Sequence, residues 1–212
     1  LRAERPDILH SHGYKAALLA RMARPLGGPP VASTMHSGDL GSGKVGLYNR
    51  FDAMTARFSH LIAVSPALKA RYPRAALIPN GIAVPPCRSA AGPTIAFVGR
   101  FSEEKGPLDF VALARGMPDE RFVAFGDGPL LREARQTPRP NLELRGPVPS
   151  MDPHWDGLGL LVMPSRFEGL PMAALEAMAR GIPVAAYAVG ALPELLGDGC
   201  GFLAEPGDPE SL

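Results

Sequence analysis

The chain has 212 residues, 46% of them hydrophobic and 20% charged, which is ordinary for a globular protein with a real core and leaves room for one large domain or two small ones. Its 22 basic and 21 acidic residues leave a net charge of +1. That is too little for a global field that would draw nucleic acid or an anionic membrane, so any anion site has to be local.

Two cysteines, Cys87 and Cys200, are too few for a disulfide framework and stand in no metal-ligand spacing. No apolar run approaches the ~20 residues of a membrane helix. Leu1 to Asp7 is charged and holds no signal-peptide core. A reduced, cytoplasmic setting is expected, with peripheral membrane contact left open. Glycine and proline number 24 each, and the prolines fall mostly at element boundaries, where they punctuate rather than disorder the chain.

The hydrophobic period switches repeatedly along the chain. Asp7 to Ser11 reads as a strand, Tyr14 to Met22 as a helix, and Val31 to Met35 as a strand. After a glycine-rich loop from Gly38 to Gly46, Leu47, Phe51, Met54 and Phe58 recur at helical spacing. His60 to Val64 is a strand, Pro66 to Tyr72 a helix with proline in its first turn, and Ala76 to Ile78 a strand. From Gly81 to Pro93 the pattern stops in a polar, proline-rich stretch that is expected to link two domains.

Alternation then resumes. Thr94 to Val98, Arg121 to Phe125, Leu142 to Leu144, Leu160 to Met163 and Pro183 to Tyr187 read as strands. Lys105 to Arg115, Leu130 to Gln136 and Pro171 to Arg180 read as helices. Such alternation implies βαβ units and parallel sheets, hence an α/β protein of two doubly wound, Rossmann-like domains. Their expected limits are 1–84 and 94–212, joined by a linker over 85–93. The first holds few strands, the chain opens at the tail of one helix and closes at Pro206 to Leu212 as another begins. It is therefore expected to be incomplete at its N-terminus and slightly so at its C-terminus.

In open parallel sheets, ligands sit beyond the carboxyl ends of the strands, and two motifs follow strands in the second domain. The first is Gly99-Arg100-Phe-Ser-Glu-Glu-Lys105-Gly106. Gly99 lets the backbone turn close to a ligand, Arg100 offers a rigid fork for phosphate oxygens, and Lys105 adds a point charge. Lys105 is expected to open the next helix, whose N-terminus itself attracts anions. Two cations here could neutralise a departing nucleoside diphosphate in place of a metal; equally, they could be solvated side chains of a surface loop.

The second motif is Phe167-Glu168-Gly169-Leu170-Pro171 leading to Glu176. Pro171 fits the first turn of a helix, placing Glu168 just outside it and Glu176 over one turn inside. Two carboxylates so spaced can bind hydroxyls on different parts of one extended ligand. The plainer alternative is a helix-terminus acid and a solvated helix residue.

The run Pro164-Ser-Arg-Phe-Glu-Gly-Leu-Pro-Met-Ala-Ala-Leu-Glu-Ala-Met-Ala-Arg-Gly-Ile-Pro-Val184 closely resembles the Glu-x7-Glu region of retaining GT-B glycosyltransferases, the large group 1 family. The resemblance extends in order through Ile78 to Gly81, Phe97 to Phe101 with Lys105-Gly106, Gly126 to Pro129, and Val189 to Asp208. It implies two sheets facing a cleft and transfer of a hexose-type unit from a UDP- or GDP-linked sugar. The acceptor would be a hydroxyl of a lipid-linked or growing glycan, and no nucleic acid, cofactor or metal is expected. No Asp-x-Asp motif is present in the sequence. Arg100 and Lys105 would bind the donor diphosphate, Glu168 a hydroxyl of the transferred sugar, and Glu176 the ribose. Backbone near Arg145 to Val148 would meet the base, and Gly169 and Leu170 would turn N–H groups toward sugar and phosphate. His36, which ends a strand ahead of the glycine-rich loop, matches the position where the family places a histidine at the reacting centre. His10 and His12 end the preceding strand and are secondary candidates.

The sequence departs from the family pattern at four points. Leu158-Gly159 replaces the usual Ala-Asp, the segment Pro149 to Gly157 is short, Ala191 replaces the second glycine after Val189, and the family's N-terminal glycine-rich loop is absent from this chain. The loop Gly38 to Lys44 lacks P-loop spacing, since Val45 stands where Ser or Thr is required. A GT-B-like sugar-nucleotide epimerase or hydrolase, and a non-catalytic nucleotide-sugar-binding module, remain the alternatives.

Overall fold

The computed structural model describes residues 4–36, 43–84, 92–136, 139–197 and 199–212. The chain forms two compact units, Leu1–Asn80 and Gly81–Leu212. Most of the expected linker, and most of the glycine-rich loop after His36, lie outside the described residues.

The first unit is built from β1 (Leu9–His12), α1 (Tyr14–Ala23), β2 (Val31–Met35), α2 (Gly43–Thr55), β3 (His60–Ala63), α3 (Pro66–Arg71) and β4 (Ala76–Leu77). The strands pair in parallel in the order β1-β2-β3-β4. Ser65 caps α3 by accepting from Leu68 N at 3.3 Å, with Pro66 in the first turn. Between α1 and α2 lies a buried ion pair, Arg21 Nη1 to Asp52 Oδ1 at 2.7 Å. The Arg21 guanidinium also donates to the Asp52 carbonyl, to Thr55 Oγ1 and to Ser59 Oγ. The apolar stripe read at helical spacing does not face this core. Leu47, Phe51, Met54 and Phe58 are exposed, whereas Asp52 and Ala56 are buried.

The second unit comprises β5 (Thr94–Val98), α4 (Pro107–Gly116), β6 (Arg121–Phe125), α5 (Leu131–Arg135), β7 (Leu142–Gly146), β8 (Leu158–Met163), α6 (Met172–Met178), β9 (Val184–Tyr187), α7 (Leu192–Leu196) and β10 (Gly201–Ala204). All pairings are parallel, in the order β10-β9-β8-β5-β6-β7. Parallel strands covered on both faces read as unbroken apolar runs, and every residue of Val184-Ala-Ala-Tyr187 is buried. Alternate side chains serve two cores. Ala96, Val123, Leu161 and Val184 pack with Trp155, Ala174, Ala177 and Leu192 on one face. Phe97, Phe122, Ala124 and Val162 pack with Phe110, Ala114 and Leu131 on the other.

Three expectations need correction. Lys105 does not open a helix: Glu103–Lys105 is a 3-10 turn, Gly106 adopts φ 62°, and α4 starts at Pro107. Proline fixes the start of α4, because it has no N–H to offer the preceding turn and is favoured at the first helical position. Pro171 is extended and stands at the N-cap of α6 rather than inside it. Pro206 to Leu212 begins no helix, and α7 and β10 precede it where the sequence reading assigned no elements.

Candidate donor-binding site

The strand order of the second unit reverses at β5. The chain passes from β5 to β6 and β7 on one side, then crosses to β8 on the other. A doubly wound sheet opens a crevice at the carboxyl ends of the two strands flanking such a reversal. The loop after β5 carries Arg100 and Lys105, and the loop after β8 carries Glu168. The topology therefore brings the two motifs together, although Lys105 and Glu168 are 63 residues apart.

Backbone bonds fix the first loop. Gly99 N donates to Phe125 O (3.0 Å), Phe101 N to Asp127 O (2.9 Å), and Leu130 N to Phe101 O (2.9 Å). The Phe101 ring is buried, edge-on to Phe97. This anchoring holds Gly99 half-buried and leaves the intervening Arg100 exposed, with no ion-pair partner among the described residues. A free guanidinium at the lip of a switch-point crevice is suited to a phosphate.

The second half of the loop is clamped to the chain after β8. A Cβ on Gly106 would overlap the carbonyl oxygen of Pro164, and the positive φ also disfavours a side chain. Arg166 completes the clamp. Its N–H donates to Glu104 O at 2.8 Å, and its guanidinium reaches Glu103 O at 3.3 Å and Asp109 Oδ2 at 3.2 Å. Tyr187 Oη donates to the same Asp109 oxygen at 3.1 Å. Burial, followed by the Asp109 charge, pushes the Tyr187 hydroxyl pKa upward, so it remains a donor.

Within this frame Lys105 Nζ donates to Glu168 Oε1 at 2.7 Å. The Glu168 side chain is only 4% exposed and that of Lys105 26%, so the pair lies mostly out of water. Gly190, with φ 59°, lets the following loop press on the Glu168 backbone, where a Cβ would overlap the Glu168 carbonyl oxygen. Ala191 N then donates to Gly169 O at 3.1 Å. Gly169 and Leu170 are half-buried in front of α6. Glu176 lies inside α6, half-buried. Its carbonyl accepts from Arg180 Nη1 at 3.0 Å, and its carboxylate has no partner among the described residues.

Arg145 is occupied otherwise. Its guanidinium donates to both oxygens of Glu143 at 2.9 and 3.1 Å and lies over the Phe125 ring. Val148 is partly buried against the core.

The structure thus brings Arg100, Lys105, Glu168, Gly169 and Leu170 to the ends of β5 and β8, with Glu176 on α6 behind them. The sequence reading missed Arg166, whose clamping role depends on contacts with residues about sixty positions upstream. It also did not anticipate the direct Lys105–Glu168 bond.

In the first unit, His36 follows β2. Its Nε2 lies 2.8 Å from Nδ1 of His12, with the rings stacked at 5.1 Å. Burial, then the neighbouring His12 and His10, lower the His36 pKa below 6.5.

Residues 92–212 match the family described as "Glycosyl transferases group 1", and residues 1–85 match "Glycosyltransferase Family 4". The chain belongs to the group 1 glycosyltransferases. It is 32% identical to a 2-deoxystreptamine N-acetyl-D-glucosaminyltransferase of Streptomyces fradiae, over all of this chain and 62% of the relative. It is 27% identical to an Escherichia coli UDP-Gal:alpha-D-GlcNAc-diphosphoundecaprenol alpha-1,3-galactosyltransferase, over 84% of this chain and 56% of the relative. The chain therefore spans somewhat over half the length of these relatives. Among solved structures, Anabaena HepE in complex with UDP and glucose superposes with a TM-score of 0.84 at 20% identity, over 99% of this chain and 67% of that one. At that identity the likeness shows the fold alone. No described helix is long and apolar enough to cross a membrane.

Proposed function

We propose that the full-length protein is a retaining, metal-independent glycosyltransferase that moves a sugar from a UDP- or GDP-linked donor to a hydroxyl of a lipid-linked or growing glycan. The observation that carries this reading is the convergence of Arg100 and the Lys105–Glu168 pair at the switch point of the second unit, with Glu176 on the helix that follows the Glu168 loop. Two cations next to two carboxylates match the charge pattern of a nucleoside diphosphate joined to hydroxyl-bearing rings. Arg100 and Lys105 take the diphosphate oxygens, Glu168 a sugar hydroxyl, Glu176 the ribose, and the backbone from Arg145 to Val148 the base. Gly169 and Leu170 supply N–H groups to sugar and phosphate.

In the reaction, the bond from the anomeric carbon to the diphosphate oxygen breaks and one to the acceptor oxygen forms on the same face. The acceptor oxygen itself attacks on that face, so no protein nucleophile is required, and its proton passes to the departing diphosphate. Fixed cations at the leaving group stabilise its developing charge without reorganising, commonly a large part of catalysis. His36 is assigned a role in turnover through the family resemblance. The E. coli relative named for a diphosphoundecaprenol-linked substrate supports a lipid-linked acceptor and, with it, peripheral membrane contact.

The test is product analysis with the full-length protein, donor and EDTA, with and without acceptor. A glycosidic product that needs acceptor, keeps the donor's anomeric configuration and forms in EDTA is expected. Free sugar or an epimerised donor formed without acceptor would instead identify a hydrolase or epimerase. Nucleotide binding without turnover would identify a binding module.

A further inference from the structure

The strand register of the first unit places a second histidine in contact with His36. In parallel pairing, His10 lies opposite Ala32 and His12 opposite Thr34. Side chains alternate between faces along a strand, so His10, His12, Thr34 and the position two beyond Thr34, His36, all belong to one face. Ser11 and Ser33 belong to the other, where their hydroxyls are hydrogen-bonded at 2.9 Å and buried. The His-x-His spacing of β1 is thus what a strand requires to bring two imidazoles together on the side where His36 emerges.

The three rings are used differently. His10 Nε2 is bonded to Thr34 Oγ1 at 2.8 Å, which anchors it to β2. Its ring lies against His12, with centroids 4.3 Å apart. His12 bonds to His36 through Nδ1 and Nε2 at 2.8 Å.

We propose that His12 is a positioning residue for His36: the Nδ1–Nε2 bond between them fixes the orientation of the His36 ring and ties its tautomer to that of His12, leaving its Nδ1 as the atom available for turnover. This inference rests on the role in turnover assigned to His36.

Two physical points support it. A bond between two neutral imidazoles needs one nitrogen carrying hydrogen and one bare. The partner of Nε2 therefore decides what Nδ1 of the same ring can do, as in other sites where one ring nitrogen is held so that the second can act. In addition, burial and then His12 and His10 disfavour a charge on His36. The facing groups from the two strands are His10, His12 and Thr34. His10, itself tethered to Thr34, packs against His12, so the restraint on His36 passes through a packed ring rather than a free one.

The experiment uses the full-length protein carrying 15N-labelled histidine. In the wild type, the His36 ring nitrogens should show an Nε2 hydrogen-bonded to the labelled His12 Nδ1, and His12→Ala should abolish that coupling and shift both nitrogens. His12→Ala should lower kcat about ten- to a hundredfold, as expected for a reacting group left slightly misplaced, with donor KM little changed. His12→Asn, whose amide stands near the former Nδ1, should recover much of both signals. His12→Gln, whose amide stands near the former Nε2, should not. If His12→Ala fails to fold, the Asn and Gln pair carries the test. Adding His12→Ala to His36→Ala should cost nothing further, because the effect of His12 passes through His36.

Normal kcat and unchanged His36 ring-nitrogen shifts in His12→Ala, alongside a slow His36→Ala, would overturn the role of His12 alone. A His36→Ala protein that turns over normally would remove the role of His36, and this inference with it.

Discussion

Lys105 Nζ lies 2.7 Å from Glu168 Oε1, an ion pair that joins the loops after β5 and β8 at the point where the sheet reverses direction. With the Glu168 side chain 4% exposed, the carboxylate depends on this ammonium for its compensation. Lys105→Ala should therefore affect folding as well as turnover. Loss of the partner of a buried polar group costs about 1–3 kcal/mol, and more where the group is charged, visible as a lower Tm. Lys105→Ala with unchanged Tm would mean that water or another cation compensates Glu168.

Arg100 should behave in the opposite way. It is exposed and unpaired among the described residues, so Arg100→Ala should leave Tm unchanged. It should raise the barrier for kcat/KM by about 2–4 kcal/mol, the usual loss for one preorganised donor. Arg100→Lys should restore only part, because the fork is lost. Wild-type kcat/KM in Arg100→Ala would make Arg100 a surface charge.

Gly106 and Gly190 hold the two sides of the pair. Each has positive φ, and each would drive a Cβ into a backbone oxygen, of Pro164 and Glu168 respectively. Alanine at either position should lower stability by at least about 1–2 kcal/mol from the left-handed conformation alone, with the overlap added. Thermal melts check this, and an unchanged Tm for both variants would contradict the described clamp.

In the first unit, Arg21→Ala should be strongly destabilising. The side chains of Arg21 and Asp52 are 1% and 6% exposed, and removing one partner of such a pair typically costs about 3–5 kcal/mol. Burial already pushes the Asp52 pKa up against the opposing Arg21 charge, so losing the arginine raises it further. Chemical denaturation of the full-length protein measures the cost. A loss within experimental scatter would mean that α1 and α2 tolerate an unpaired Asp52.

The His36 pKa is lowered from 6.5, chiefly by burial and then by His12 and His10. A base with a depressed folded pKa binds fewer protons folded than unfolded. Its contribution to stability is present above 6.5 and is lost as pH falls through the lowered value. Between neutral and mildly acidic pH, wild type should lose more Tm than His36→Asn. Parallel curves would mean that His36 titrates alike in both states.

Much of this fold was legible from period alone. β2, β5 and β6 run over the expected residues, since buried parallel strands leave short apolar runs bounded by turns. Where contacts decide, the sequence was less informative. Lys105 fits the start of a helical pattern, yet Gly106 caps and Pro107 starts the helix after it. α7 and β10 are short, and β10 is an edge strand with Phe202 and Leu203 exposed, so neither has a strong period. Arg100, Lys105, Glu168 and Glu176 could be singled out because motifs after strands are local. The pairing of Lys105 with Glu168, the hold of Arg166 on the chain near Lys105, and the bond between His12 and His36 depend on residues distant in sequence.

The most direct test of the donor site is calorimetric titration of UDP and GDP into the full-length protein and its Glu176→Ala and Glu168→Ala variants. One nucleotide should bind wild type, and Glu176→Ala should weaken it about tenfold or more, the scale of a hydrogen bond to a charged group. Glu168→Ala should leave the affinity nearly intact, because its assigned partner is the sugar. Equal losses in both variants, or no binding of either nucleotide to wild type, would contradict the assignment.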